Sequence, residues 1–383
     1  MSLRIAMIGA CAYPVPQGSQ VYLRDSALAL HERGHEVHLV VYGHGTGTED
    51  SGLRIHRCRR LPGDRRTASG PALLKPILDL ALLHALRRVI HRHEIQVVCA
   101  HNYEALLIAL AARKRPILYF AHNAMADELP HYFRVKVLVG KAGHWLDRHF
   151  PRRADHVIAP HQRLADYLVD LGCDARRVSV LAPPVDAEQF EGAVRGGDIP
   201  LNPHSEGGLK RGAAMPLPPV LYAGNLDAYQ NLDLLLEAMT HLRRTLPEAR
   251  LIIATHQHAD LPGAELIPAP GFQALGKILA QDAVFAVPRV SWSGYPIKLL
   301  NGMAAGLPVV ACQSAAHPLV HGENGLIVPD NDAAAFADAL RTLLLDPTLR
   351  QQLGQQARDT IAMEHAPTNF AHEVEQVARR LLL

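Results

Sequence analysis

The chain has 383 residues, 48% of them hydrophobic and 20% charged, enough for two or three domains with sizeable cores. This excludes a disordered or fibrous protein, and a net charge of only +2 gives no overall field of the kind that gathers nucleic acid. Five cysteines, an odd number without a Cys-X-X-Cys pair, speak against a disulfide framework or zinc ribbon and suit a reducing cytoplasm.

Arg4 to Ile8 is a short apolar run of the kind a strand buried on both faces shows. Pro14, Pro16 and Gly18 make the loop after it; Leu23, Ala27 and Leu30 then recur at helical spacing until Gly34. Val37 to Val41 completes a βαβ unit, whose right-handed crossover places both strands in one parallel sheet. The alternation continues with strands at 95–100, 117–121 and 157–159 and helices at 73–90 and 105–112. The opening apolar run is too short for a signal peptide, and the uncharged stretch from Leu299 to His321 is broken by Asn301, Gly306, Pro308 and Gln313, so neither a leader nor a membrane span is expected.

Residues 191–218 are rich in glycine and proline and have no apolar period, which reads as a loop or linker, with 191–213 expected to be irregular and dispensable. The pattern restarts at Val220 to Ala223, followed by Gly224 and a helix bearing Leu235, Met239 and Leu242; strands follow at 251–254, 283–287 and 308–311. Two α/β halves thus each open with strand, glycine turn and helix. The expected architecture is a pair of doubly wound domains with ligand at the carboxyl ends of the strands.

Four features bear on chemistry. The loop from Gly9 to Ser19 is not Gly-X-Gly-X-X-Gly; a glycine such as Gly18 at a helix start suits either an anion or merely a tight turn. His122, in Phe120-Ala-His-Asn-Ala-Met-Ala-Asp-Glu128, follows a strand end, and Asp127 and Glu128 read as solvated loop carboxylates or as contacts for an acceptor hydroxyl. Arg54, Arg57, Arg59, Arg60, Arg65 and Arg66 crowd a predicted loop beside an amphipathic segment ending in Arg87, Arg88 and Arg92. The plainer reading is a solvated loop next to a packed helix; the other is a surface for anionic membrane. Neither His91-Arg-His93 nor His256-Gln-His258 has the helical i, i+4 spacing of a zinc pair, so no metal is expected.

The most informative segment is Ser291-Trp-Ser-Gly-Tyr-Pro-Ile-Lys-Leu-Leu-Asn-Gly-Met-Ala-Ala-Gly-Leu-Pro-Val-Val-Ala311, with Pro296 placed to begin a helix and Gly306 to end it. It resembles the donor-site motif of the retaining GT-B glycosyltransferases grouped as family 4, Glu-Gly-Phe-Pro followed by Leu-Glu-Ala-Met-Ala-X-Gly-X-Pro-Val-Val-Ala. Gly34-His-Glu-Val37, Ala154-Asp-His-Val-Ile-Ala159, Pro184-Val-Asp186 with Phe190, Tyr222-Ala-Gly-Asn-Leu226, Gly322-Glu-Asn-Gly-Leu326 and Asp346-Pro347 are similar to further family fragments in the same order.

The resemblance implies a GT-B fold: a Rossmann-like domain over 1–186, a second over 187–365, and a terminal helix over 366–383 crossing back to the first. It implies a metal-independent, retaining transfer from a nucleotide-sugar donor to an unknown acceptor, with no cofactor, in cytoplasmic synthesis of a cell-surface glycan or glycoconjugate. A catalytically degenerate protein that binds a nucleotide or partner is the other reading. By the same resemblance, His122 lies near the donor sugar, and Gly18, Gly224, Arg289, Gly294, Tyr295, Lys298 and Leu299 line the donor site. Ser293 stands where the family has its first glutamate, which contacts the sugar. Asn301 stands at the second, which holds the ribose, and Asn225 and Gln230 stand where arginine and lysine often hold the diphosphate. With that cationic pair gone, Lys298, helped by Arg289, is expected to carry the phosphate charge.

Overall fold

The computed structural model describes residues 2–15, 18–45, 52–60, 74–133, 135–187, 190, 217–269 and 272–383. The expected linker over 191–213, together with Arg65 and Arg66, lies outside them. The elements are β1 (Arg4–Gly9), α1 (Gly18–Glu32), β2 (Glu36–Val41), β3 (Arg54–Arg57), α2 (Lys75–Arg92), β4 (Val97–His101), α3 (Tyr103–Ala112), β5 (Ile117–Phe120), α4 (Met125–Glu128), α5 (Lys136–His149), β6 (His156–Ala159), α6 (Gln162–Asp170) and β7 (Val178–Val180). They continue with β8 (Val220–Ala223), α7 (Leu232–Leu242), β9 (Leu251–Thr255), β10 (Glu265–Pro268), α8 (Phe272–Leu279), β11 (Val284–Val287), α9 (Ile297–Ala304), β12 (Val309–Cys312), β13 (Leu326–Val328), α10 (Ala333–Leu345), α11 (Pro347–Glu364) and α12 (Pro367–Arg380).

The chain forms two compact units. One comprises Met1–Pro184, Trp292–Tyr295 and His365–Leu383; the other comprises Val185–Ser291 and Pro296–Glu364. The first holds a seven-stranded sheet in the order β3-β2-β1-β4-β5-β6-β7, and the second a six-stranded sheet in the order β10-β9-β8-β11-β12-β13. Every pairing in both is parallel. The central strands β1, β4, β5, β8 and β11 are buried almost throughout, as strands covered by helices on both faces must be. In each sheet the strand order reverses beside the first strand of the unit, between β1 and β4 and between β8 and β11. Such switch points open a crevice at the carboxyl ends, where ligands bind in doubly wound folds.

The helix α12 belongs to the first unit. Phe370, Val374, Val377 and Ala378 form a buried stripe at helical spacing. The Phe370 ring stands 6.3 Å from Tyr22 of α1 and 6.1 Å from Phe120 of β5. Burying a phenylalanine of this kind contributes about 1.5–3 kcal/mol. Arg33, just past α1, donates to Glu375 of α12 and fastens the same contact at its rim.

Two expectations need correction. Arg54 and Arg57 lie in β3, not in a loop. The run Arg-Ile-His-Arg carries no apolar signal because it is an edge strand with only β2 as neighbour. Arginines here also bond to the protein itself: Arg54 donates to Glu36 at the surface, Arg57 to the Tyr13 carbonyl at 2.7 Å and, past the strand, Arg60 to the Gly43 carbonyl. Pro296 is the cap of α9, not its first residue; its ψ of 77° is not helical and the helix starts at Ile297.

Candidate donor and sugar sites

In the second unit, the site residues collect at the switch point. β8 runs into Gly224 and Asn225, β11 into the loop bearing Arg289, and α9 supplies Lys298. Lys298 Nζ donates to the Tyr222 hydroxyl and to Gln230 Oε1, both at 2.7 Å, and lies 4.3 Å from the centre of the Tyr222 ring. The Tyr222 hydroxyl donates in turn to the Asn225 carbonyl at 2.6 Å. Gln230 donates to Asn225 Oδ1 at 2.8 Å, and Asn225 donates onward to Asp227 and to the Tyr229 hydroxyl. Asn225 and Gln230 therefore do not face a ligand as the cations they stand in for would; they hold Lys298 in place from behind.

Both hydrogen-bond partners of Lys298 are neutral. Burial, then the nearby Arg289, drive its pKa well below the ordinary lysine range, and Asp227 offsets this only in part. Arg289 lies two residues past the end of β11, not at its end as expected. It donates to Ser291 Oγ at 3.0 Å and stacks over the Tyr229 ring at 5.2 Å, while its Nε is buried without a partner. Two cationic side chains at one strand end without a matching counter-charge make a receptor for an anion.

Gly224 keeps that receptor open. Its φ of +142° is rarely adopted by other residues, and a Cβ there would sit 2.8 Å from Lys298 Nζ. One turn into α9, Asn301 is buried and its Oδ1 has no hydrogen-bond partner. A buried, unused acceptor suits a donor group such as a ribose hydroxyl. Leu299 does not fit the role expected of it: its side chain is core, and its N–H is spent on the Pro296 carbonyl at 2.8 Å.

The segment Trp292–Tyr295 and the histidine region lie together in the first unit. Asp127 Oδ2 accepts from Ser293 Oγ at 2.7 Å and from the Ser293 N–H at 3.2 Å. A carboxylate is thus present beside position 293, but on the α4 segment, 166 residues away in sequence. His161 Nδ1 accepts from Leu164 N–H, so its Nε2 carries the proton and donates to the Ser293 carbonyl at 3.1 Å. Trp292 stands edge-on to Tyr167 at 5.4 Å, under Arg163. The Tyr295 hydroxyl meets His365 Nε2 at 3.3 Å, and His365 Nδ1 donates to the Pro183 carbonyl. Gly294 lies within this pinned segment.

His122 is buried just past β5. It stacks on Tyr22 at 4.8 Å, and its Nε2 lies 3.1 Å from His101 Nδ1. Burial lowers its pKa to about 3, so the imidazole is neutral near pH 7. So weak a base contributes little general-base catalysis; the ring can still position a hydroxyl. Behind it, Asp147 accepts from the N–H groups of Met125 and Ala126 and from the Tyr167 hydroxyl, which fixes the start of α4 and hence Asp127. Gly18 opens α1 at an exposed position beside this region of the sheet. The parts that spacing alone does not reveal are Tyr222, Asp147, His101, His161 and the Asp127–Ser293 pairing.

Comparison with known proteins bears on what these two sites serve. Residues 16–189 match the model for glycosyltransferase family 4, and residues 218–346 match that for glycosyl transferases group 1. The chain is 25% identical over 407 aligned positions to D-inositol 3-phosphate glycosyltransferase of Corynebacterium glutamicum, covering 96% of this chain and 93% of that one. It is 27% identical to a putative glycosyltransferase, EpsD, of Bacillus subtilis, over 74% of this chain and 76% of that one. In fold it is similar to sucrose-phosphate synthase of Thermosynechococcus elongatus, with a TM-score of 0.77, 16% identity and 99% of both chains covered. It is likewise similar to Anabaena HepE in complex with UDP and glucose, with a TM-score of 0.71, 14% identity, and 98% of this chain and 99% of that one covered.

Proposed function

Because the chain belongs to the family-4-like glycosyltransferases of GT-B fold, we propose that it transfers a sugar from a nucleotide-sugar donor to an acceptor hydroxyl with retention of configuration. The observation that carries this reading is the buried Lys298 beside Arg289 at the β8–β11 switch point, with neutral hydrogen-bond partners and Asp227 as a partial counter-charge. A diphosphate brings two to three negative charges, whereas a helix N-terminus offers only about half a positive one. Lys298 and Arg289 supply the remainder. In the second unit Asn301 suits a ribose hydroxyl; in the first unit, considered by itself, Gly294 and Tyr295 amides, His122 and Asp127, the carboxylate beside Ser293, suit a sugar.

In the retaining route the acceptor oxygen bonds to the anomeric carbon as the bond to the diphosphate breaks, and the departing phosphate takes the acceptor's proton. The protein then contributes orientation and stabilisation of the leaving group. No metal or cofactor enters this scheme. Since HepE of the same fold holds UDP and glucose, UDP-sugars are the first donors to test.

An acceptor carried at an anionic membrane surface, as in cell-surface glycan synthesis at the cytoplasmic face, is supported by α5. Val137, Leu138 and Trp145 are more than half exposed beside Lys136, Lys141 and Arg148. Among the described residues no helix is long and apolar enough to cross a membrane.

The test is calorimetry with nucleoside diphosphates followed by turnover of a panel of nucleotide sugars, with the product anomer read by NMR. Binding, turnover and retention support the proposal. Inversion overturns the retaining route, and binding without turnover of any donor marks a nucleotide-binding protein instead.

A further inference from the structure

In the first unit, far from either site in sequence, three histidines meet. His38 lies in β2, His56 in the edge strand β3, and His93 caps the end of α2. One ring nitrogen from each falls within 4.8 Å of the other two. His38 Nδ1 and His56 Nε2 are 2.9 Å apart; those two rings stack at 5.1 Å, and His93 lies tilted against them with centroid separations of 4.3 and 5.0 Å. On its far side His38 Nε2 lies 3.2 Å from Glu36 Oε1, which Arg54 also holds.

We propose that His38, His56 and His93 form a binding site for a late first-row divalent metal ion such as Zn2+, with Glu36 as its outer support. A carboxylate accepts only, so His38 Nε2 carries the proton and its Nδ1 lone pair accepts from His56 Nε2–H; a metal would move that proton to His56 Nδ1 and free both nitrogens as ligands. This carboxylate–histidine arrangement is the one that fixes the ring and raises its basicity at zinc centres. Metal–nitrogen bonds of about 2.0–2.1 Å in a tetrahedron place ligand atoms about 3.3–3.4 Å apart. The His38–His56 nitrogens, 2.9 Å apart, are closer than that and all three lie within 4.8 Å, so ring rotations would close the site and water would fill the remaining position.

Imidazole ligands suit zinc, nickel and copper rather than magnesium or calcium. Access is open, because His56 and His93 line a groove of about 980 Å³ together with Ile55, Arg57, Ala81 and His84. The arginines around the groove disfavour a cation, and the three lone pairs must outweigh them. A bound ion would tie the short edge strand β3 and the end of α2 to the sheet.

The experiment is calorimetric titration of chelator-stripped full-length protein with Zn2+, with metal content after dialysis and the visible spectrum of the Co2+ form. One equivalent of Zn2+ and cobalt bands of nitrogen ligation are expected. His56→Ala and His93→Ala, both at partly exposed positions, should each lower the affinity at least tenfold, and Glu36→Gln about 10–100-fold. His91→Ala, an exposed neighbour outside the cluster, should bind as the parent does. Melting in chelator checks each fold, and should one alanine variant melt early the other decides. Absence of a one-equivalent site in the parent, or parental affinity in both alanine variants, overturns the proposal.

Discussion

At the scale of single residues, Lys298 is the most exposed to test. It donates to two neutral groups and lies beside Arg289, so its proton is held weakly until an anion arrives. Lys298→Ala should weaken nucleoside-diphosphate binding by about 1.5–3 kcal/mol, the size of a charge-assisted contact, and leave the bare nucleoside unaffected. Diphosphate binding should also take up a proton, because the ligand raises a pKa that burial had lowered. Calorimetry in buffers of different ionisation enthalpy reads that proton, and its persistence in Lys298→Ala would assign it elsewhere. Gly224→Ala reaches the same contact from the other side, since its Cβ would occupy the space 2.8 Å from Nζ. It should cost a similar amount alone and much less in a Lys298→Ala background, and full additivity in the double mutant would show that the two do not share a contact.

At the scale of elements, legibility in the sequence followed burial and sequence distance. β1, β4 and β8 are continuous apolar runs, so their positions could be read directly. β3 could not, because Arg-Ile-His-Arg at a sheet edge carries a single apolar residue and needs no more on its open side. The donor motif located the α9 region, and the departure at Ser293 was visible as a missing carboxylate. That Asp127 supplies one was not visible, because the pairing depends on Asp147 holding the start of α4 and on His161 holding the Ser293 carbonyl. The exposed face of α5 was also missed in favour of the arginines near 54–60, most of which turn out to bond within the fold. Co-sedimentation with vesicles should therefore follow α5: Leu138→Glu with Trp145→Glu should lower binding to anionic vesicles at least tenfold. Retention of binding by that variant would return the membrane contact to the arginine region.

At the scale of the whole molecule, the two units differ in how they carry histidine. Among the described residues, the pKa is lowered at His35, His38, His56, His101, His122 and His156 in the first unit, and at His256 and His317 in the second, burial being the leading cause each time. A histidine buried neutral costs nothing while it is also neutral in the unfolded chain, above about pH 6.5. Below that, the unfolded chain takes up protons that the folded unit refuses, so stability falls until the folded pKa is reached. That lies near 4 for His56 and His156 and near 3 for His122. The slope for each group approaches about 1.4 kcal/mol per pH unit. Asp79 and Asp147, whose pKa values burial raises, push the other way, but only as the pH nears the carboxylate range. The first unit should therefore loosen ahead of the second between pH 6.5 and 5. Hydrogen exchange read by mass spectrometry on metal-free protein should show protection falling first in β1, β4, β5 and β6 while β8 and β11 hold. His156→Gln, which keeps a partner for Ser179, should flatten the acid loss of the first unit, since His156 contacts Ser179 at 2.8 Å and touches neither candidate site. Parallel loss in both units, or earlier loss in the second, would mean that these buried histidines do not set the acid limit.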